Sequence, residues 1–277
     1  MVAALLALAA SLAYGTSDFL AALQSRRRSV WSVTAVSQPA ALLVAGLVLL
    51  LNWAPPAGAS NVLLPLLGGI AGGCSIVFYY LALAQGTMSV VAPIVAACAV
   101  VPMAVGLASG ERASAVQYAG MALALAGIVF ASRVEARSGG RVGLRSVLYA
   151  VLAAAGFGAM MVGLGVGGEG GVHWAVFSGR LGSVVPVYAF LIIRRPTLDV
   201  PLRAVPVLAT IGVLGVVANL LFALSATIGY LSVAAVLSTL SPVVIAIYAR
   251  LFAGERLTRA QLAAAVVVLL GVVLLTL

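Results

Sequence analysis

The sequence predicts an all-α integral membrane protein: ten transmembrane helices arranged as two inverted five-helix repeats. Three observations predict it. Charge is scarce, apolar runs of spanning length fill the chain, and one half of the chain echoes the other. Of 277 residues, 64% are hydrophobic and only 8% charged, and the mean hydropathy is +1.23. A water-soluble domain carries charge on roughly 25% of its residues. Fifteen basic and six acidic side chains are too few to solvate a globule of 27.8 kDa. Hydrocarbon is therefore the solvent for most of this surface.

A spanning helix needs about 20 largely apolar residues. Breaks at Gly, Pro, Asn and charge divide the chain into spans near 2–23, 31–51, 61–84, 89–109, 115–132, 146–165, 173–193, 204–227, 231–250 and 259–277. The runs are continuously apolar rather than alternating, which excludes a closed β-barrel. The connections are short, so successive helices are antiparallel neighbours. The first span opens "MVAALLALAASLAYG", which has the apolar body of a secretory leader. No basic residue precedes that body, and apolar character resumes after a polar cluster until Gln24, so a transmembrane helix is the expectation.

The repeat is read from aligned motifs. "GERASAVQYAGMALALAGIVF" from Gly110 matches "GERLTRAQLAAAVVVLLGVVL" from Gly254. Gln117 pairs with Gln261 and Gly127 with Gly271, all at an offset of 144 residues. Weaker echoes set Tyr14–Gly15 against Phe157–Gly158, and Trp31 to Ser37 against Trp174 to Ser178. The repeats are placed at 1–138 and 139–277, each with five helices. An odd number inserts the second copy upside down relative to the first. Inverted repeats are the architecture of secondary transporters, with sites near the midplane between the halves.

Arginine sets the orientation. The net charge is +9, yet every basic residue is an arginine and all but Arg180 sit in short loops, which is no nucleic-acid surface. Arg26, Arg27 and Arg28, then Arg133, Arg137, Arg141 and Arg145, then Arg194, Arg195 and Arg203, then Arg250, Arg256 and Arg259 fall on one side of a ten-span chain. Only Arg112 lies in a loop on the other side, and Arg180 sits within the seventh span. Positive loops stay cytoplasmic, so both termini are expected outside the cytoplasm, in a cell (inner) membrane. Trp31, Trp53 and Trp174 fall at span ends, as interfacial anchors do.

At this point the chain resembles the EamA-type members of the drug/metabolite transporter superfamily. The likeness is carried by "AYGTSDFLA" in the first span, "SVVAPIVAACAVVPMAVGLASGER" in the fourth, "LSPVVIAIYARLFAGER" in the ninth, and the paired "GER" motifs opening the fifth and tenth. It covers essentially the whole chain. The resemblance implies a ten-helix fold whose central cavity is lined mainly by spans 1, 3, 4, 6, 8 and 9. It also implies small organic solutes as cargo, often exported metabolites or amino acids. Many relatives are thought to keep both termini in the cytoplasm; the arginines here predict the opposite.

Polar side chains inside spans are the candidate substrate and coupling residues: Tyr14, Ser17, Asp18, Gln38, Tyr79, Tyr80, Arg180 and Asn219. A carboxylate at mid-helix costs about 2.5–3.5 kcal/mol on insertion scales. Ser11, Tyr14 and Asp18, at i, i+3 and i+7, form one polar face, which belongs in a bundle interior or a wet cavity. Asp18 is then either a proton or cation site, or a packing group held by Ser or Thr. Arg180 either meets a substrate carboxylate or phosphate, or snorkels to the interface. Its depth differs from that of Asp18 by more than ~10 Å at 1.5 Å per residue, so direct pairing is not expected. Gln38, Tyr79, Tyr80 and Asn219 are costly to leave in lipid without partners; they serve a cavity wall or interhelical hydrogen bonds. Ser238 and Ser241 are weaker candidates, since Ser bonds its own helix.

The remaining features are read as structural. Gly156, Gly158, Gly163, Gly165 and the "GGEGG" from Gly167 allow either close packing or a bendable gate. Pro93, Pro102 and Pro242 remove ladder bonds and should kink their helices. Glu111 and Glu255 read as caps or surface charges. Cys74 and Cys98 read as small packed residues, and His173 has no second ligand nearby in sequence. No catalytic or metal motif occurs, so neither a cofactor nor an enzyme is implied. The expected function is secondary active transport of a small organic metabolite, an amino acid or drug-like solute, by alternating access, with efflux and proton coupling as its refinements. An uncoupled facilitator or channel is the alternative. The partners are the small-molecule substrate, the lipid bilayer and protons.

Overall fold

The computed structural model describes residues 1–85, 91, 94–95, 97–134, 143–252 and, further on, 263, 266–267, 270–271 and 273–274. Its helices are α1 (Val2–Ser25), α2 (Val30–Leu51), α3 (Ser60–Gln85), α4 (Val100–Ala108), α5 (Ala115–Val134), α6 (Leu144–Gly168), α7 (Val172–Arg194), α8 (Val205–Ile228), α9 (Leu231–Ser238) and α10 (Ser241–Phe252). No strand occurs among the described residues. Helix is the form that satisfies every backbone N–H and C=O within one segment, which lipid demands. Among the described residues, six stretches are long and apolar enough to cross a membrane: α1, α2, α3, α6, α7 and Leu202–Ile228, which contains α8. Ala97–Ala108, Ala115–Gly127 and Leu231–Ile245 are shorter apolar helices. This is a membrane protein of many apolar helices.

Most expected boundaries hold to within three residues. One is corrected: the span expected at 231–250 is two helices, α9 and α10, parted at Thr239 and Leu240. Pro242 follows and has no N–H to donate back to Ser238, so the ladder cannot run through. Pro102 behaves differently. It lies in the first turn of α4, where no donor is needed, and the irregular stretch is the 3₁₀ turn Ala97–Ala99 just ahead of it. Pro93, Glu255, Arg137, Arg141, Arg256, Arg259, Gly254 and Gln261 lie outside the described residues.

Caps settle the helix starts. Ser29 accepts from the Ser32 N–H at the head of α2. Ser114 and Gln117 exchange two bonds at the head of α5, Ser114 N–H to Gln117 Oε1 at 3.0 Å and Gln117 N–H to Ser114 Oγ at 3.2 Å. That is a capping box, and it gives the repeated glutamine its reason. Glycine makes two of the turns: Gly110 and Gly171 have φ of 90° and 154°, a backbone that a side chain would strain.

The interior is built of small residues and the outside of leucine. Ala7, Ala10, Ala150, Ala153, Ala175 and Ala218 are fully buried, while Leu43 is 74% and Leu67 61% exposed. Lipid is as apolar as leucine, so helices associate through close contact of small side chains instead. α3 packs along α6 and α7, while α8 packs along α1 and α2. α2 also meets α7, and α1 touches α9 and α10. The first three helices thus pack largely against the second set of long helices.

Candidate functional site

Glycine positions show how tightly the crossings are set. A Cβ on Gly69 of α3 would stand 2.0 Å from the Gly179 carbonyl oxygen of α7, and one on Gly212 of α8 would stand 2.2 Å from that of Ser37 in α2. In α6, Cβ atoms on Gly156 and Gly163 would strike the Ala71 and Leu64 carbonyls of α3 at 2.7 and 2.6 Å. Of the two readings of this glycine-rich helix, the geometry supplies close packing.

Between these crossings the polar residues gather on facing helices. Tyr14 of α1 donates to Asn219 Oδ1 of α8 at 2.5 Å. Asn219 is buried, so this bond satisfies an amide that lipid would punish. Arg180 of α7 leans on α8, where a Cβ on Gly215 would lie 2.8 Å from its Nη2. Its Nε is buried with no hydrogen-bond partner, and no carboxylate among the described residues pairs with it. Asp18 stands one turn beyond Tyr14. The charges of Arg180 and Asp18 both reach Tyr14 through space, and that of Asp18 reaches Tyr80 of α3. Trp31 meets the Tyr80 ring edge-on at 5.4 Å and stacks on Phe190 at 4.3 Å.

Asp18 combines two properties. Its side chain is exposed to a water-sized sphere, yet protein atoms surround it in depth. Tyr14, Tyr80, Cys98 and Arg180 are likewise partly accessible and surrounded in depth. Asp18, Tyr14, Tyr80, Cys98 and Arg180 thus each keep some accessible surface while lying deep among protein atoms. Cys98 and Cys74 are free thiols. Sequence reasoning passed over Cys98 because a thiol in an apolar run gives no signal of what it faces.

The other expected residues sit in contacts between helices. Ser17 is buried and donates to the Ile211 carbonyl of α8 at 3.0 Å. Gln38 is buried, with Ser183 Oγ 3.5 Å from its Oε1. Tyr79 packs into a cluster with Ala82, Val91 and Ala150. Ser238 reaches the Ala7 carbonyl at 3.4 Å. Thr16, next to Ser17, meets Tyr248 of α10 at 3.0 Å. Trp174 donates to the Ala54 carbonyl and meets Trp53 edge-on, so two of the three tryptophans pin one helix end.

Glu111 caps a helix far along the chain. Its carboxylate accepts from the Leu231 N–H at 2.6 Å, the Ser232 N–H at 3.2 Å and the Ser232 hydroxyl at 2.5 Å. The loop before α5 is thereby fastened to the head of α9, whose own N-cap residue offers no side-chain bond.

The described residues form a bundle of apolar helices with polar groups on facing helices, the build of a multi-span membrane protein. Residues 144–277 match the EamA-like transporter family, so the second half of the chain is similar to that family. One solved structure, described only as the crystal structure of a protein, is similar in fold, with a TM-score of 0.80 at 16% identity over 99% of this chain and 96% of that one. No curated protein matches the sequence.

Proposed function

We propose that the chain is a secondary active transporter of small organic solutes, moving cargo outward by alternating access of two inverted five-helix repeats, 1–138 and 139–277, with Asp18 carrying the coupling proton. One observation supports this reading: α1 carries an exposed carboxylate, Asp18, and α7 a cation, Arg180, with no carboxylate partner among the described residues, and the charges of both act on Tyr14; on this reading they face one internal space between α1, α3 and α7. Charges at membrane depth mark solute and proton paths.

The inverted duplication is supported by contacts that recur at an offset of 143 residues. A Cβ on Gly15 would strike Val244 Cβ at 2.5 Å and the Ser241 carbonyl at 3.1 Å; one on Gly158 would strike Val101 Cβ at 2.5 Å and the Cys98 carbonyl at 2.6 Å. Ser146 donates to the Ala82 carbonyl, and Ser225 to the Ala3 carbonyl, the same positions with the donor exchanged. Swapping α1 with α6, α2 with α7 and α3 with α8 exchanges the α3–α6 contact with α1–α8 and the α3–α7 contact with α2–α8, and carries α2–α7 onto itself.

The test is flux into proteoliposomes under an imposed proton gradient, with candidate cargo found by thermal shift against amino acids, nucleosides, sugars and cationic drugs. Wild-type protein should concentrate its cargo and lose that ability with a protonophore. Asp18→Asn should fold and bring gradient-driven flux down to the level of empty liposomes. Unaltered driven flux in the variant would remove the coupling role. Downhill flux indifferent to the gradient in the wild type would make the protein a facilitator.

A further inference from the structure

The arginine-rich end of the bundle holds a cavity of about 520 Å³, lined by Gln24 in the last turn of α1, Arg27 and Arg28 just after it, and Arg203, Ala204 and Val207 at the head of α8. Among the described residues no acid lines it. Arg27 and Arg203 are exposed and Arg28 is half-buried. Arg28 Nη1 donates to Gln24 Oε1, while its Nε is buried with no hydrogen-bond partner. Asp199, on the adjoining loop, is exposed and offers its backbone N–H to Ser32 Oγ; its carboxylate forms no ion pair with these arginines among the described residues. The head of α8 adds a helix N-terminus without a side-chain cap. Three guanidiniums around one cavity repel one another, and water only partly offsets that at a membrane surface.

We propose that this cavity binds a phosphate-bearing group. Guanidinium forks match phosphate oxygens two at a time, and Arg28 has a donor still to satisfy. The volume exceeds that of bare phosphate, leaving room for an attached organic part. The pocket lies at helix ends, the level at which phospholipid headgroups sit, and basic pockets between spanning helices suit anionic headgroups. An anionic phospholipid and a soluble phosphate share this chemistry.

The full-length protein in phosphatidylcholine nanodiscs separates them. Thermal unfolding is followed as phosphatidylglycerol replaces phosphatidylcholine and, in a second arm, as inorganic phosphate replaces chloride at constant ionic strength. The midpoint should rise with dose in at least one arm. A rise with phosphatidylglycerol alone makes the ligand a lipid; a rise with phosphate alone makes it a soluble anion. The double variant Arg27→Gln, Arg203→Gln changes two exposed side chains and should need about tenfold more of the same ligand, the loss of roughly one charge-assisted hydrogen bond. Arg203→Gln alone serves if the pair does not fold. No rise in either arm, or equal dose curves for wild type and variant, would overturn the site.

Discussion

Tyr14 and Asn219 are 205 residues apart and share one hydrogen bond; Arg180, nearby, has an Nε with none. A neutral amide and phenol satisfy each other, whereas a guanidinium with spare donors at membrane depth is poised for an anion. Gly215 is what lets it lie there. A Cβ at that position would stand 2.8 Å from Nη2 and 3.6 Å from Cζ, so the flexible far end of Arg180 must move while the backbones need not. Gly215→Val should therefore leave the melting temperature nearly unchanged and weaken transport of an anionic cargo by about tenfold in KM, near the worth of one charged hydrogen bond. Wild-type KM in a stable variant would detach Arg180 from cargo binding. The neighbour of Arg180 was not legible in the sequence, because periodicity places it on a helix and says nothing of which helix it faces.

Helix boundaries were the most readable feature. Apolar run length fixes a spanning helix, and the expected 173–193 became Val172–Arg194. The proline at 242 announced a bend, and the chain breaks just before it. What could not be read was the partner of a polar group across the bundle. Glu111 read as a cap or a surface charge, but its target, the head of α9, lies 120 residues away. Ser17 read as a candidate site residue and Gln38 as a cavity-wall or interhelical group, and both sit buried between helices; a hydroxyl or amide in an apolar helix has the same pattern in either place. The Glu111 contact makes its own prediction. Glu111→Ala strips three hydrogen bonds from the first turn of α9 and leaves two backbone donors without this carboxylate. The cost should be about 1–3 kcal/mol, seen as a lower midpoint in thermal unfolding, with Glu111→Gln in between. An unchanged midpoint would make the loop contact incidental.

At the scale of the whole molecule, the proposed duplication does not extend to the two intramembrane charges. Asp18 answers by position to Met161, and Arg180 to Ser37, so each charge occurs in one half only. On the proposed mechanism, a one-sided carboxylate and guanidinium would make the two states of the carrier chemically different, while the imposed gradients set the direction of net flux. Orientation belongs to this scale too. The thirteen arginines on one side predict both termini outside the cytoplasm. Periplasm-active reporters fused at either end should be on and cytoplasm-active ones off; the reverse pattern would invert the assignment.

The central claim is an aqueous space beside Asp18, enclosed by both halves of the chain. Replacing Cys74 and Cys98 by serine and placing a single cysteine at Asp18 or Tyr14 exposes that space to a membrane-impermeant, negatively charged thiol reagent in intact vesicles. The account predicts labelling at both positions, slowed by bound cargo, and no labelling of a control cysteine at the lipid-facing Leu43. Absence of labelling at 14 and 18 in folded protein, from either side of the membrane, would contradict it.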